Sequence, residues 1–217
     1  MSAPLIPPSF LFRFAVPCRY RERLWPPAES GLEEECRLLT LGGLERAARG
    51  VDFRLAWSED GLAFSARIEG KRQPIWCRAS RPEDSDGVQL WIDTRDVRNV
   101  HRAGRYCHRF LFLPAGAGKG LEEPLVQWLP IDRAREHPRA IPAAALAIRS
   151  TPFSDGYRLD AFIAAPALTG FDPAEHPRLG FTYAVFDREL PLQTFTVGPP
   201  FPFEDDPSTW ATLELVR

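Results

Sequence analysis

Apolar positions in this chain recur mostly at every second residue. In the run from Val51 to Trp57, Phe53, Leu55 and Trp57 share one face, and Asp52, Arg54 and Ala56 take the other. That is the period of a half-buried strand. Glu59-Asp60-Gly61 then turns the chain, and Leu62, Phe64, Ala66 and Ile68 alternate with Ala63, Ser65 and Arg67. The two runs predict a hairpin with one wet face. Asp86 to Asp93 repeats the pattern, with Val88, Leu90 and Ile92 inward and Gln89, Trp91 and Asp93 outward. Arg105 to Pro114 is apolar on both faces toward its end, as a central strand would be. Further strands are expected over 124–130, 145–151, 157–163, 181–187 and 209–216, with Phe10 to Val16 as an edge strand. Gly31 to Leu39 is the one modest helix candidate, with Gly42, Gly43 and Gly50 as breaks beyond it, and a single turn is expected around Pro166 to Gly170.

The pattern predicts an all-β protein, an antiparallel β-sandwich of jelly-roll type with about ten strands and one or two short helical turns. No repeat period and no clear linker divides the 217 residues. Residues 1–217 therefore read as one domain, in which 1–50 give an N-terminal strand and a wrapping segment and 51–217 the sandwich body.

Composition narrows the function more by exclusion than by assignment. With 44% hydrophobic and 12% aromatic residues, the chain can bury a core without metal or disulfide support. Its 27 basic and 29 acidic side chains leave a net charge of −2, so no overall field draws it to nucleic acid or anionic lipid. Fifteen Gly and 22 Pro suit short strands with many turns. No apolar run approaches the roughly 18 residues that a spanning helix needs. The N-terminus lacks a basic n-region, is broken by Pro4, Pro7 and Pro8, and carries Arg13 within its apolar run, so a cytoplasmic protein is expected. Cys18, Cys36, Cys77 and Cys107 contain no C-x-x-C pair and read as buried free thiols.

If the first hairpin and the 86–93 strand share a sheet, their outward residues bring together Arg54, Arg67, Gln89, Trp91 and Asp93, joined by Arg109. Such a face has the chemistry of a sugar site. An indole stacks on the C–H face of a pyranose while guanidinium and carboxylate groups hydrogen-bond vicinal hydroxyls. Trp25, Trp76 and Trp128 lie in or beside loops that could add a second stacking surface. The competing reading is that Trp91 is covered by the first 50 residues or by another strand and simply packs.

Other chemistries find less support. Cys107 and His108 are neighbours in a strand and point to opposite faces, so they form no dyad. The four histidines show no zinc spacing, and Gly116-Ala117-Gly118-Lys119-Gly120 lacks the Ser or Thr of a phosphate loop. Acidic clusters at Glu83/Asp84/Asp86, Asp93/Asp96 and Glu204/Asp205/Asp206 read as solvated turns or as oxygen-rich calcium loops, and none singles out the carboxylate pair of a glycosidase.

Taken in order, Trp57, Asp60-Gly61-Leu62, Asp86 to Asp93, Gly156 to Pro173 and Pro177 to Glu189 resemble family 9 carbohydrate-binding modules and the wider DOMON-like sandwiches. The resemblance covers roughly 50–217. It implies a jelly-roll-like sandwich that binds sugars by tryptophan stacking, frequently with structural calcium. Gln89 stands where the family's D-x-V-E strand has its acid, Asp160 replaces a Glu, and Ala164-Ala165-Pro166 replaces an I-P-W turn. A haem site is disfavoured because Met1 is the only methionine. The expectation is a non-enzymatic carbohydrate binder using Trp91, Gln89, Asp93, Arg54, Arg67 and Arg109, with no cofactor beyond the calcium that the resemblance implies, and no nucleic-acid or membrane partner. The alternatives are a structural or protein-interaction sandwich and a jelly-roll carbohydrate-active enzyme.

Overall fold

A computed structural model describes residues 15–39, 50–78 and 80–217. Its strands are β1 (Ala15–Tyr20), β2 (Val51–Ser58), β3 (Gly61–Glu69), β4 (Gly87–Asp93), β5 (Cys107–Ala117), β6 (Glu123–Leu129), β7 (Leu146–Phe153), β8 (Gly156–Ala164), β9 (Arg178–Phe186), β10 (Gln193–Thr194) and β11 (Ala211–Val216). They form one sheet in the order β6-β5-β4-β9-β11-β1-β2-β3-β8-β7, with β10 paired to β9.

The sheet folds back on itself. One layer, β6-β5-β4-β9-β11, faces the other, β1-β2-β3-β8-β7, and the alternating apolar residues of both meet between them. Phe53 of β2 stacks on Tyr183 of β9 at 4.0 Å, and Phe64 of β3 meets Phe112 of β5 edge-on at 4.8 Å. Such aromatic pairs add directional contact to an already large apolar burial. The hairpin forms as its alternation predicts, with Ser58 opposite Gly61. Gly61 has φ +142°, and a Cβ there would lie 2.1 Å from the Ile163 carbonyl of the adjoining β8, so only glycine lets the third strand close on the turn.

Two expectations are corrected. The N-terminal strand lies at the centre of the sheet order and not at an edge: β1 runs parallel to both β11 and β2 and joins the two layers. Residues 10–14 of that expected strand fall outside the described residues. The candidate helix from Gly31 to Leu39 is reduced to a single 3-10 turn at Glu34–Cys36, because Leu32 and Cys36 are drawn down onto Ala56 and Ala63 and the segment lies flat across the sheet. No described helix is long and apolar enough to cross a membrane.

Both outer faces are covered. Leu24, Leu32 and Cys36 cap Ala56 and Ala63 on one side. On the other, Ala103, Ile131, Val197, Phe203 and Trp210 pack on Trp91, Cys107 and Ala184. The small outward residues leave room for these covering segments.

Candidate functional site

The six residues expected to form one face are divided between the two outer surfaces, because β2 and β3 belong to one layer and β4 and β5 to the other. Arg54 and Arg67 are therefore separated from the remaining four, and each is engaged locally. Arg54 holds Asp52 and donates to the Leu32 carbonyl at 2.8 Å, pinning the segment that crosses β2. Arg67 pairs with Asp155 at 2.6 Å and lies over the Phe153 ring.

On the other surface, Trp91 has 0% exposure. Its wet face was an expectation of two-residue alternation, but Phe203 meets the ring edge-on at 5.6 Å and Trp210 closes the same cluster. Among the described residues the cover comes from 197–210 together with Ala103 and Ile131, and none of the described residues of the first 50 belongs to this cluster. Asp93 is buried as well, and its carboxylate accepts from the Arg95 and Val97 amides at 3.0 and 2.8 Å, shaping the turn after β4. Burial pushes its carboxyl above the ordinary range.

Gln89 and Arg109 do meet. Gln89 Oε1 accepts from Arg109 Nε at 2.9 Å and Nη2 at 2.7 Å. Arg109 is 6% exposed, and its guanidinium lies 5.3 Å over the Trp91 ring. The same Nη2 stands 3.4 Å from carboxylate oxygens of Glu83 and Glu204. Burial raises Glu204 above the usual carboxylate range against the pull of Arg109, and burial together with Asp132 does the same to Asp205. One buried cation is thus held by an amide beneath and two carboxylates at the rim, an arrangement with free acceptors for hydroxyl donors.

Glu83 also lines a cleft of about 460 Å³ with Trp76, Asp84, Ser85, Phe186, Asp187, Arg188 and Leu192. Trp76 is partly exposed, and Arg78 and Arg188 lie over its ring at 4.7 and 5.0 Å. The sequence marks Glu83 and Glu204 only as members of acidic clusters; which of those acids turn toward Arg109 depends on contacts between residues far apart in the chain.

Among the described residues no group of three or more His, Cys, Asp or Glu side chains converges to hold a metal. Asp93 is engaged by backbone amides, Asp206 accepts from the Ser208 amide, and Asp86 binds Lys71. The four cysteines are unpaired, and burial lifts the thiols of Cys107 to about 12 and Cys77 to about 11. His108 is buried with its Nε2 accepting from the Thr169 amide at 2.8 Å.

No protein-family model matches the sequence, and no curated protein is similar to it. Solved structures do match. A family 9 carbohydrate-binding module from Caldicellulosiruptor kristjanssonii, in complex with cellotriose, superposes with a TM-score of 0.62 at 14% identity over 93% of each chain. The fold is that of a family 9 carbohydrate-binding module. A family 9 module of the same organism in complex with glucose gives a TM-score of 0.60 at 15% identity over 94% of this chain and 96% of the other. A Bacteroides uniformis protein described as a candidate carbohydrate binder gives 0.57 at 13% identity over 94% and 99%. At these identities the likeness establishes the architecture, and ligand assignment rests on the residues present.

Proposed function

We propose that this protein is a non-catalytic carbohydrate binder whose site is the Gln89–Arg109 pair, rimmed by Glu83 and Glu204 and continued by the cleft that Trp76 and Phe186 wall. The observation that carries the reading is the Arg109 guanidinium, buried on the outer face of β5 and bound by an amide and two carboxylates beside that cleft. The family 9 neighbours are complexes with cellotriose and glucose, which supports a saccharide for this fold. The stacking surface of the proposal is Trp76; Trp91 acts from below by supporting Arg109. Few ligand atoms are desolvated in such a cleft, which sets affinity on the order of 1 mM to 1 μM. The unpaired thiols support a reducing compartment such as the cytoplasm.

One specific observation favours a second reading, a structural sandwich with no sugar site: the indole expected to stack is sealed by the chain itself. Titration calorimetry and tryptophan fluorescence against neutral mono- and oligosaccharides separate the two. The binding reading expects saturable heat that Trp76→Ala and Arg109→Met each weaken at least about tenfold, the loss of one good contact, while Trp91→Phe retains it. Silence of the wild type across the panel overturns the binding reading in favour of the structural one.

A further inference from the structure

Charge is distributed unevenly along this chain. Residues 94–106 and 131–139 carry seven arginines against Asp96, Asp132 and Glu136, a local charge of +4, which leaves −6 for the rest of a chain whose net charge is −2. The fold brings these two segments to one end of the same layer. The first joins β4 to β5 and the second follows β6; because β5 is antiparallel to both neighbours, both segments leave from its Cys107 end. The Arg135 amide donates to the Ala103 carbonyl and Arg102 Nε to the Arg133 carbonyl, each at 2.8 Å, so the segments are tied side by side. Arg95 and Arg105 both lie against the Tyr106 ring, at 4.4 and 4.9 Å. The Arg139 amide donates to Thr169 Oγ1 at 3.3 Å, and the Thr169 carbonyl accepts from Thr94 Oγ1 at 2.7 Å, which sets the end of the second segment beside the start of the first.

Arg102, Arg105, Arg133, Arg135 and Arg139 are exposed, and Arg95 is half-buried. Among the described residues none of these six makes an ion pair, whereas Arg98 of the same loop holds Asp96, and Arg21, Arg37 and Arg67 elsewhere hold Glu33, Asp52 and Asp155. Cations gathered at one end without counter-charges raise the local potential, so this surface gains most from an anion that carries several charges. The type of cation narrows the partner. A guanidinium presents a planar fork that matches the two oxygens of a carboxylate, and the exposed Arg37 already grips Asp52 in that way, with Nε and Nη2 at 3.0 and 2.7 Å from its two oxygens. Nucleic-acid bases need an open ring on which to stack. Tyr106, the one Phe, Tyr or Trp of the two segments, is occupied by Arg95 and Arg105. We propose that this end of the sandwich is a docking surface for an acidic polysaccharide, a polyuronate whose repeating carboxylates engage the arginine forks. The surface is separate from the proposed cleft, which opens at the Gly87–Phe186 end of β4, about 20 Å away along a strand of seven residues. Choosing a saccharide as the polyanion rests on the sugar reading; the positive surface itself does not.

Affinity electrophoresis of the full chain through gels containing polygalacturonate tests this, with dextran sulfate and duplex DNA at matched anionic charge and neutral dextran as comparisons. Wild type should bind polygalacturonate more tightly than any of the three, and release it as salt rises from about 0.05 to 0.5 M and screening shortens to a few ångströms. The triple variant Arg105→Gln, Arg135→Gln, Arg139→Gln should bind about tenfold more weakly. Removing the same charge from exposed arginines elsewhere, in Arg19→Gln, Arg23→Gln, Arg72→Gln, should leave binding at the wild-type level. Both triple variants change only exposed side chains and should melt with wild type; Arg135→Glu, a single reversal at an exposed position, should weaken binding in the same direction. The proposal is overturned if wild type ignores polygalacturonate, if any comparison polymer binds as tightly, or if the two triple variants are weakened alike. Silence toward neutral oligosaccharides with polygalacturonate binding retained removes the cleft reading alone. Binding of neutral sugars with none of polygalacturonate removes this surface alone.

Discussion

His108 shows how burial converts an ordinary side chain into a pH-sensitive one. Stacked near-parallel with Phe110 and enclosed in the core, it drops to about 4 because burial penalises the charged ring. Its neutral Nε2 accepts the Thr169 amide, a bond that protonation removes. The folded value is depressed below the ordinary 6.5, so the unfolded chain binds the extra proton first. Stability from this group is complete above about pH 6.5 and is lost as pH falls toward 4, with a total of about 3 kcal/mol. Urea midpoints of wild type and His108→Gln across this window should converge toward the acid end. Parallel curves would refute the assignment. The histidine was readable in the sequence as belonging to the face opposite Cys107. Its titration was not, because it depends on what encloses the ring.

At the scale of elements, the clearest device is the strap formed by residues 21–36 across β2, β3 and β8. It is tied down by side chains of the sheet: Leu32 N donates to Ser65 Oγ, Ser65 Oγ donates to Asp160, and Arg149 and Arg158 donate to the Ala28 and Glu29 carbonyls. Gly31 makes the closest approach, with φ +79° and a Cβ position 2.7 Å from Ser65 Oγ. Gly31→Ala combines left-handed backbone strain with overpacking and should cost about 1–3 kcal/mol. The loss should be concentrated in the strap, so cleavage after Arg21 or Arg23 by trypsin should accelerate before the sheet opens. Unchanged cleavage kinetics would mean that the strap is not held as described. The hairpin of β2 and β3 was legible because an uninterrupted two-residue period and an Asp-Gly turn are local signals. The stretch Gly31 to Leu39 reads as a helix candidate, but Leu32 and Cys36 answer to Ala56 and Ala63, which are distant in sequence.

For the molecule as a whole, one apolar cluster runs through β2, β3, β4, β5, β8 and β9 and leaves no seam between the layers. Urea unfolding should therefore be a single transition, coincident by tryptophan fluorescence and far-ultraviolet circular dichroism. Separate transitions would divide the chain into independent units, against the single-domain expectation for 1–217. Closure of this kind also explains the redistribution of the expected site. Alternation tells which residues of a strand share a face, but two strands read as neighbours can end in opposite layers. Arg54 and Arg67 went one way and Gln89 and Arg109 the other, while Glu83 and Glu204 arrived from loops 121 positions apart in the chain (204 less 83).

Side-chain period and local turn chemistry are enough to read the all-β class, the positions of nearly all the strands and the identity of the inward residues. That Trp91 lies sealed, that β1 runs parallel at the centre of the sheet order, and that Arg109 and Lys71 meet their carboxylates emerges from the folded chain alone. Those outcomes depend on which distant segments come to cover a face, and burial by distant segments leaves no periodic trace in the residues that it covers.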